Sequence, residues 1–490
     1  METQTIKLAK VVGWFTIMAS AASNEYGAGI NAVPTSTLGP YPGVGSLVPL
    51  VVLVAGLILI PKVFMFQRFG RVINTSGGEY TWISRALHPR IGFYVQFLYY
   101  ASLMGAIGFV TYLFGSTLAT TLVNFGVSTG IWFGTFAGHV VIGLLLIWIF
   151  FGLHITGVRT YGILVDILFF AILAGAIMSI VIGLHVSSNL FSSTLSSKVF
   201  HGPVPSTTLP PFTYAAFLGA VGLNVFSYGG LSSAPMLGGE AKNANRNMPI
   251  GIVAAWAVAL ILYTLVTFAT FHAVGATNIL ALINSNHSVY ATVPGVLSLT
   301  VPTYVGDIFS IIILIIIAKT VMPLLMGPSR VSFEWGKDSL LPKIWTHTNK
   351  NKAPDFSLFI VALFGSIFLI DASIIGVNIV AFRSISLLVI ILFMGIAVLF
   401  LNTKKSKKDW EKSVTTTSMI VAAIAGVIVA LVFIPSVVIL PNVVWYLQPS
   451  IQSVVAVLLS EIIYEAARLH VKSQSGADLS QQIISKIPEE

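Results

Sequence analysis

Three observations predict an all-α polytopic membrane protein with about twelve transmembrane helices. Of 490 residues, 56% are hydrophobic and 9% charged, with a mean hydropathy of +0.91, against about 25% charged residues in soluble domains. Apolar stretches of about 20 residues recur along the chain, the length a helix needs to cross a ~30 Å hydrocarbon core. Runs such as Val51 to Ile60 and Ile311 to Ile317 lack the two-residue alternation of a membrane β-barrel, so the spans are helices.

Glycine, proline and charge clusters punctuate these runs. They place the first six spans at 11–33, 47–66, 91–118, 133–153, 161–184 and 212–238. The other six fall at 250–274, 305–331, 356–370, 375–401, 418–434 and 444–469. The chain then divides into a cytoplasmic N-terminus (1–10), five helices (11–184), an external Ser/Thr-rich loop (185–211) and five more helices (212–401). A basic cytoplasmic loop (402–417), two additional helices (418–469) and a cytoplasmic tail (470–490) follow. A signal peptide cleaved after Ala19-Ser20-Ala21 is rejected, because the apolar segment continues to Val33.

A net charge of +9 raises the question of nucleic acid, and the distribution of the charges answers it. Of 26 Lys and Arg, only Lys198 falls in a loop on one side, while Lys319 and Arg383 fall well inside spans and the others in loops or near span ends. The remainder share the opposite side, which the positive-inside rule makes cytoplasmic, with both termini there. The clusters Lys337 to Lys352 and Lys404 to Lys408 read as topogenic and suited to membrane lipids, not nucleic acid.

Zero cysteines remove disulfides, thiolate metal sites and thiol nucleophiles. The histidines His154, His201, His272, His287 and His347 are scattered without metal-ligand spacing. No phosphate-binding Gly-x-x-x-x-Gly-Lys-[Ser/Thr] sequence is present to drive a pump. No metal, cofactor or enzymatic activity is expected, and oligomeric state is not legible.

Two spans are interrupted at corresponding places. The first carries Gly27-Ala28-Gly29, and the sixth carries Gly229-Gly230 followed by Pro235. One glycine pair alone signals close helix packing. Matched breaks five spans apart hint at a repeat of five helices and at backbone groups that must line a cavity or ligand.

Three further segments carry a family resemblance. They are Ser76-Gly77-Gly78-Glu79-Tyr80-Thr81-Trp82, the stretch from Gly239-Glu240 to Met248-Pro249, and Pro328-Ser329-Arg330 through Leu341-Pro342. With the break in the first span, they resemble the amino acid-polyamine-organocation superfamily of permeases over about residues 11–401. The resemblance implies a five-plus-five inverted repeat with discontinuous helices 1 and 6, plus two extra helices. It implies a secondary transporter that moves amino acids by alternating access across the cell membrane. The helix 1 break, Asn24, Glu25, Tyr26, Gly27, Ala28 and Gly29, would take the substrate carboxylate on backbone N–H groups, as a helix N-terminus favours an anion. The helix 6 break, Phe226, Ser227, Tyr228, Gly229 and Gly230, would take the amino group on free carbonyls. Many relatives carry an acid after that break, where this chain has Leu231-Ser232-Ser233. This speaks against a cationic side chain. A polyamine or organic-cation carrier of the same fold, or a non-transporting receptor, is the alternative.

Ionisable groups inside spans are costly and therefore functional by default. Glu25 reads either as satisfied by free backbone N–H groups or as a substrate-facing, proton-titrating carboxylate. Lys319, with Thr320, falls where sodium-coupled carriers of this fold use small hydroxyl residues to bind an ion against helix 1. Its ammonium is expected to replace that ion on the carbonyls near Ser23 and Tyr26, giving sodium-independent, proton-coupled or exchanging transport. The competing reading is a salt bridge with Glu25, Asp166 or Asp307. Arg383, near the outer part of helix 10, and Asp166, near the cytoplasmic mouth, are weak gating candidates. Tyr26, Phe226 and Tyr228 are candidates to cap the substrate, while Trp82, Trp335 and Trp445 read as interface anchors.

Overall fold

The structure, a computed structural model, describes residues 8–287, 290–375, 379–441 and 443–486. Parts of the expected N-terminal segment and tail, residues 1–7 and 487–490, and residues 376–378 of the tenth span lie outside the described residues. Every expected span is occupied by helix. The first is split into α1 (Trp14–Glu25), α2 (Ala28–Asn31) and α3 (Val33–Ser36). The second is α4 (Val48–Leu57) and α5 (Ile60–Val72), parted where Pro61 at the start of α5 supplies no N–H for a helical bond. The third to fifth are α7 (Pro89–Asn124), α8 (Phe136–His154) and α9 (Val158–His185), and a short α6 (Glu79–Ala86) precedes α7.

The external segment contains α10 (Ser188–Lys198). The sixth span opens as α11 (Tyr214–Asn224) and continues as 3₁₀ turns over Val225–Ser233 and Pro235–Glu240. Next come α12 (Ala244–Val274), α13 (Ala276–Asn284), α14 (Val293–Ser298), α15 (Thr303–Lys337), α16 (Asp355–Ile375) and α17 (Ile379–Thr403). The chain ends with α18 (Asp409–Val414), α19 (Thr417–Val438), α20 (Pro449–Ser475) and α21 (Leu479–Ser485). Nine helices among the described residues are long and apolar enough to cross a membrane. Helix is the form that satisfies every backbone N–H and C=O within one segment where no water is available.

The packing sorts side chains by environment. Phe170, Ile428 and Ile462 lie more than half exposed, as expected of faces turned to lipid. The inner face of α15 is buried from Lys319 through Trp335. The first span packs against α12, α9, α15 and the 3₁₀ stretch, so its break lies among the most buried elements of the molecule. Two expected interface anchors prove to be core. Trp82 stacks on Phe69, meets Phe66 edge-on and donates its indole N–H to the Ile73 carbonyl. Trp335 sits among Tyr80, Phe93, Phe97 and Tyr100. Hydropathy alone does not tell a tryptophan at a membrane surface from one at a helix crossing. Trp445, 74% exposed, has the exposure an anchor needs.

Candidate functional site

The helix 1 break is built by seating the chain tightly on its neighbours. The last helical bond of α1 runs from the Tyr26 N–H to the Ala22 carbonyl at 2.7 Å, and the chain then turns, with the Gly27 N–H on the Glu25 carbonyl. A Cβ placed on Gly27 would lie 2.1 Å from Thr320 Oγ1, so only glycine lets the break approach α15. On α15, Pro323 displaces the bond that the Lys319 carbonyl would accept, opening the helix at that turn. The Lys319 ammonium donates to the Ser23 carbonyl at 3.0 Å and the Tyr26 carbonyl at 3.3 Å. These are the acceptors that the sequence suggested. Among the described residues Lys319 makes no ion pair with Glu25, Asp166 or Asp307. Asp166 instead accepts from Thr16 Oγ1 at 2.9 Å near the opposite end of α1 from the break, so the fold does not bring it to the site.

The sixth span solves its interruption differently. Its backbone changes from α to 3₁₀ at Val225, keeps i→i+3 pairing to Ser233 and resumes it over Pro235–Glu240, with Pro235 supplying no N–H at the step between them. Ser227 Oγ donates to the Gly29 carbonyl at 2.9 Å. A Cβ on Gly230 would meet the Ala21 carbonyl at 2.5 Å and the Glu25 nitrogen at 2.6 Å, so here two backbones touch. Two groups assigned to the substrate have protein partners. The Gly229 carbonyl accepts from the Tyr99 hydroxyl at 3.0 Å. The Tyr228 hydroxyl donates to the Val52 carbonyl, directing the ring toward α4.

Arg383 lies between the two breaks. It is 3% exposed, its Nη2 donates to Asn24 Oδ1 at 3.2 Å, and its guanidinium lies over the Phe226 ring. A Cβ on Gly229 would lie 2.9 Å from its Nε. Arg383 thus fills the corner between both breaks, a position set by helix 10 packing and invisible to hydropathy. Phe226 also meets Phe109 edge-on. Phe109 lines a cavity of about 390 Å³ between the first span, α7, α14, α15 and α17. Its lining carries many hydroxyls, among them Ser36, Ser116, Thr117, Thr120, Thr292 and Ser310, and, among the described residues, no charged group. The phenylalanine pair separates this cavity from Arg383 and Asn24.

Sequence reasoning missed Lys62. It was counted with the cytoplasmic charges because it lies near the end of an apolar run, yet it is 0% exposed and donates to Ser232 Oγ at 2.8 Å. The missing acid after the helix 6 break was the available signal, since a serine there leaves room for a cation from a neighbouring helix.

Beyond the breaks, the three motif segments close on one another. Arg330 forks onto Glu240, with Nη2 to Oε1 at 3.1 Å and Nε to Oε2 at 3.3 Å, both side chains 1% exposed. Arg85 grips Asp338 at 2.6 and 2.9 Å, and the Tyr80 hydroxyl donates to the same carboxylate. The backbone of Val12 pairs with Ala241. Lys242 donates to the Val12 carbonyl, which ties the starts of the first span and of α12 together. The site is therefore sealed at this end and adjoins the hydroxyl-lined cavity at the other.

Comparisons with known proteins identify the family. The family model described as amino acid permease matches residues 12–458. The chain is 24% identical over 335 residues to the branched-chain amino acid permease BcaP of Lactococcus lactis, covering 66% of this chain and 67% of that protein. It is 22% identical over 346 residues to the serine/threonine exchanger SteT of Bacillus subtilis, covering 70% and 72% respectively. A probable amino-acid permease of Schizosaccharomyces pombe, meu22, is 25% identical over 307 residues, covering 60% of this chain and half of that protein. A bundle of membrane-spanning helices around two interrupted spans, matched by the family model over nearly its whole length, belongs to the amino acid permease family.

Proposed function

We propose that this permease carries neutral amino acids across the cell membrane by alternating access between two inverted five-helix halves, without sodium. The observation that carries this reading is the Lys319 ammonium on the Ser23 and Tyr26 carbonyls. A fixed cation at the end of α1 takes the acceptors a metal ion would need and braces α1 against α15. The first N–H groups of α2 have no helical acceptor of their own and suit the substrate carboxylate. The uncharged, hydroxyl-lined approach and Ser232 in place of an acid favour a zwitterion with a neutral side chain. The names of the two bacterial relatives, a branched-chain permease and a serine/threonine exchanger, point the same way. Proton coupling or exchange completes the cycle. Both termini and the sealed end face the cytoplasm, as the basic loops require.

The test is uptake of a radiolabelled amino-acid panel by proteoliposomes, with sodium present and absent. Neutral amino acids are expected to enter at equal rates in both. Uptake that requires sodium, or that selects polyamines, would sink the reading.

A further inference from the structure

A second group of buried charges lies on the helix 6 side of the helix 1 break, and the substrate site does not use it. Glu25 at the end of α1 and Glu79 at the start of α6 are 1% and 0% exposed. None of their four carboxylate oxygens makes a hydrogen bond of normal geometry among the described residues, although the Leu231 N–H lies beside Glu25 and the Ser232 hydroxyl beside Glu79. Lys62 of α5 lies in the field of both, Glu79 more strongly than Glu25. Among the described residues it makes no ion pair. Its ammonium has three donors, and one is on Ser232. The other charged and titratable groups facing this compartment are Arg383, Tyr228, Tyr263 and Tyr99. Of these, the Tyr99 and Tyr228 hydroxyls are bonded to carbonyls.

Two carboxylates without a well-formed hydrogen bond in one dry compartment are strongly unfavourable unless each gains a proton or a cation. Lys62, on its flexible four-carbon stem, is placed to serve one acid at a time. Glu25 belongs to the element that carries the break. Glu79 belongs to the helix that carries Tyr80 and Arg85, the partners of Asp338 at the sealed end. We propose that Lys62 is the residue that couples a proton to transport, its ammonium pairing with Glu25 or Glu79 and the acid it leaves taking one proton. The step makes one O–H bond on a carboxylate oxygen with a proton from water on one side, and breaks it by release to water on the other. Nothing is oxidised or reduced. The proposal rests on the transport reading above, and names the coupling ion and the residues that handle it.

The test uses the full chain in proteoliposomes with radiolabelled L-leucine and L-serine, measuring counterflow and accumulation driven by a pH gradient between pH 5 and 8. One coupled proton lets a one-unit gradient drive about tenfold accumulation, equivalent to ~1.4 kcal/mol. Lys62→Gln and Glu79→Gln are expected to keep counterflow but lose gradient-driven accumulation, leaving equal concentrations on both sides, and to flatten the pH profile. Lys62→Arg, which keeps the charge that the step needs on a bulkier planar head, is expected to retain stability and part of the accumulation. Full accumulation with an unchanged pH profile in both glutamine variants would overturn the proposal, as would equal loss of counterflow and accumulation in well-folded protein. If Lys62→Gln does not fold, Glu79→Gln is judged by the same criteria. Wild-type protein that exchanges amino acids with no response to the gradient overturns proton coupling alone. Wild-type protein that moves no amino acid overturns the transport reading itself.

Discussion

Removing the ammonium of Lys319 strands two carbonyls at the end of α1, both held in the structure by that one group. Leaving a buried polar group unpaired costs about 1–3 kcal/mol. Lys319→Ala is therefore expected to lower the melting temperature of the purified protein and abolish uptake, while Lys319→Arg retains more of the stability. Equal melting temperatures for alanine variant and wild type would refute the brace. A second residue-scale expectation concerns Gly27, whose missing Cβ is space held by Thr320. The bland reading of such a glycine, close packing, and the functional one meet here, because the packing contact sets the shape of the break. Gly27→Ala should weaken amino-acid binding by about tenfold or more, ~1.4 kcal/mol. Adding Thr320→Ala, which removes the two nearest atoms, should restore part of it. Titration calorimetry on the two variants decides, and equal affinities would place the strain elsewhere.

At the scale of elements, the sealed end depends on one buried fork. Arg330 joins α15 to the segment after the sixth span through Glu240, and breaking a buried ion pair by removing one partner costs about 3–5 kcal/mol. Arg330→Met should thus destabilise the protein strongly, and the double variant Arg330→Met/Glu240→Leu should be the more stable of the two in thermal melts. The loop between α17 and α19 offers a milder, pH-dependent case. Burial by itself would raise the Glu411 carboxyl. Hydrogen bonds from the Lys404 ammonium and the Lys408 N–H, with the charges of both lysines, outweigh it and hold the group below its ordinary range. A depressed carboxyl stabilises above its unfolded pKa, about 4.3, and that contribution is lost as pH falls through the folded value. Glu411→Gln should consequently speed amide exchange across Asp409–Val414 at pH 7 and make no difference well below pH 4. A difference that persists in acid would show that the carboxylate charge is not the cause.

For the whole molecule, the decisive feature is asymmetry: ion pairs close one end of the bundle while a hydroxyl-lined cavity lies toward the other. A chain without cysteine permits a direct test. Thr117→Cys and Ser298→Cys, both lining the cavity, should react in intact cells with a membrane-impermeant maleimide from outside, and substrate should slow the reaction. Lys404→Cys, in the basic loop, should react only after lysis. Labelling with the sides reversed would invert the proposed topology.

Length, apolar periodicity and the placement of Lys and Arg were enough to establish the fold class and the positions of the spans, because a bilayer imposes one length and one secondary structure on every crossing. Gly27 to Gly29 and Lys319 were legible for the same reason: broken backbone and buried charge are rare in hydrocarbon and stand out against an apolar run. The partners were not legible. Lys62 read as a terminal charge of its span, and Trp82 and Trp335 as surface anchors, since hydropathy measures a residue against water and says nothing of its neighbours. Only the tertiary structure brought Lys62 to Ser232, Arg383 to Asn24 and Phe226, and Lys319 to the end of α1. Those contacts join residues 157 to 359 positions apart in the chain, and which helix faces which is decided by packing, not by the local pattern of any one helix.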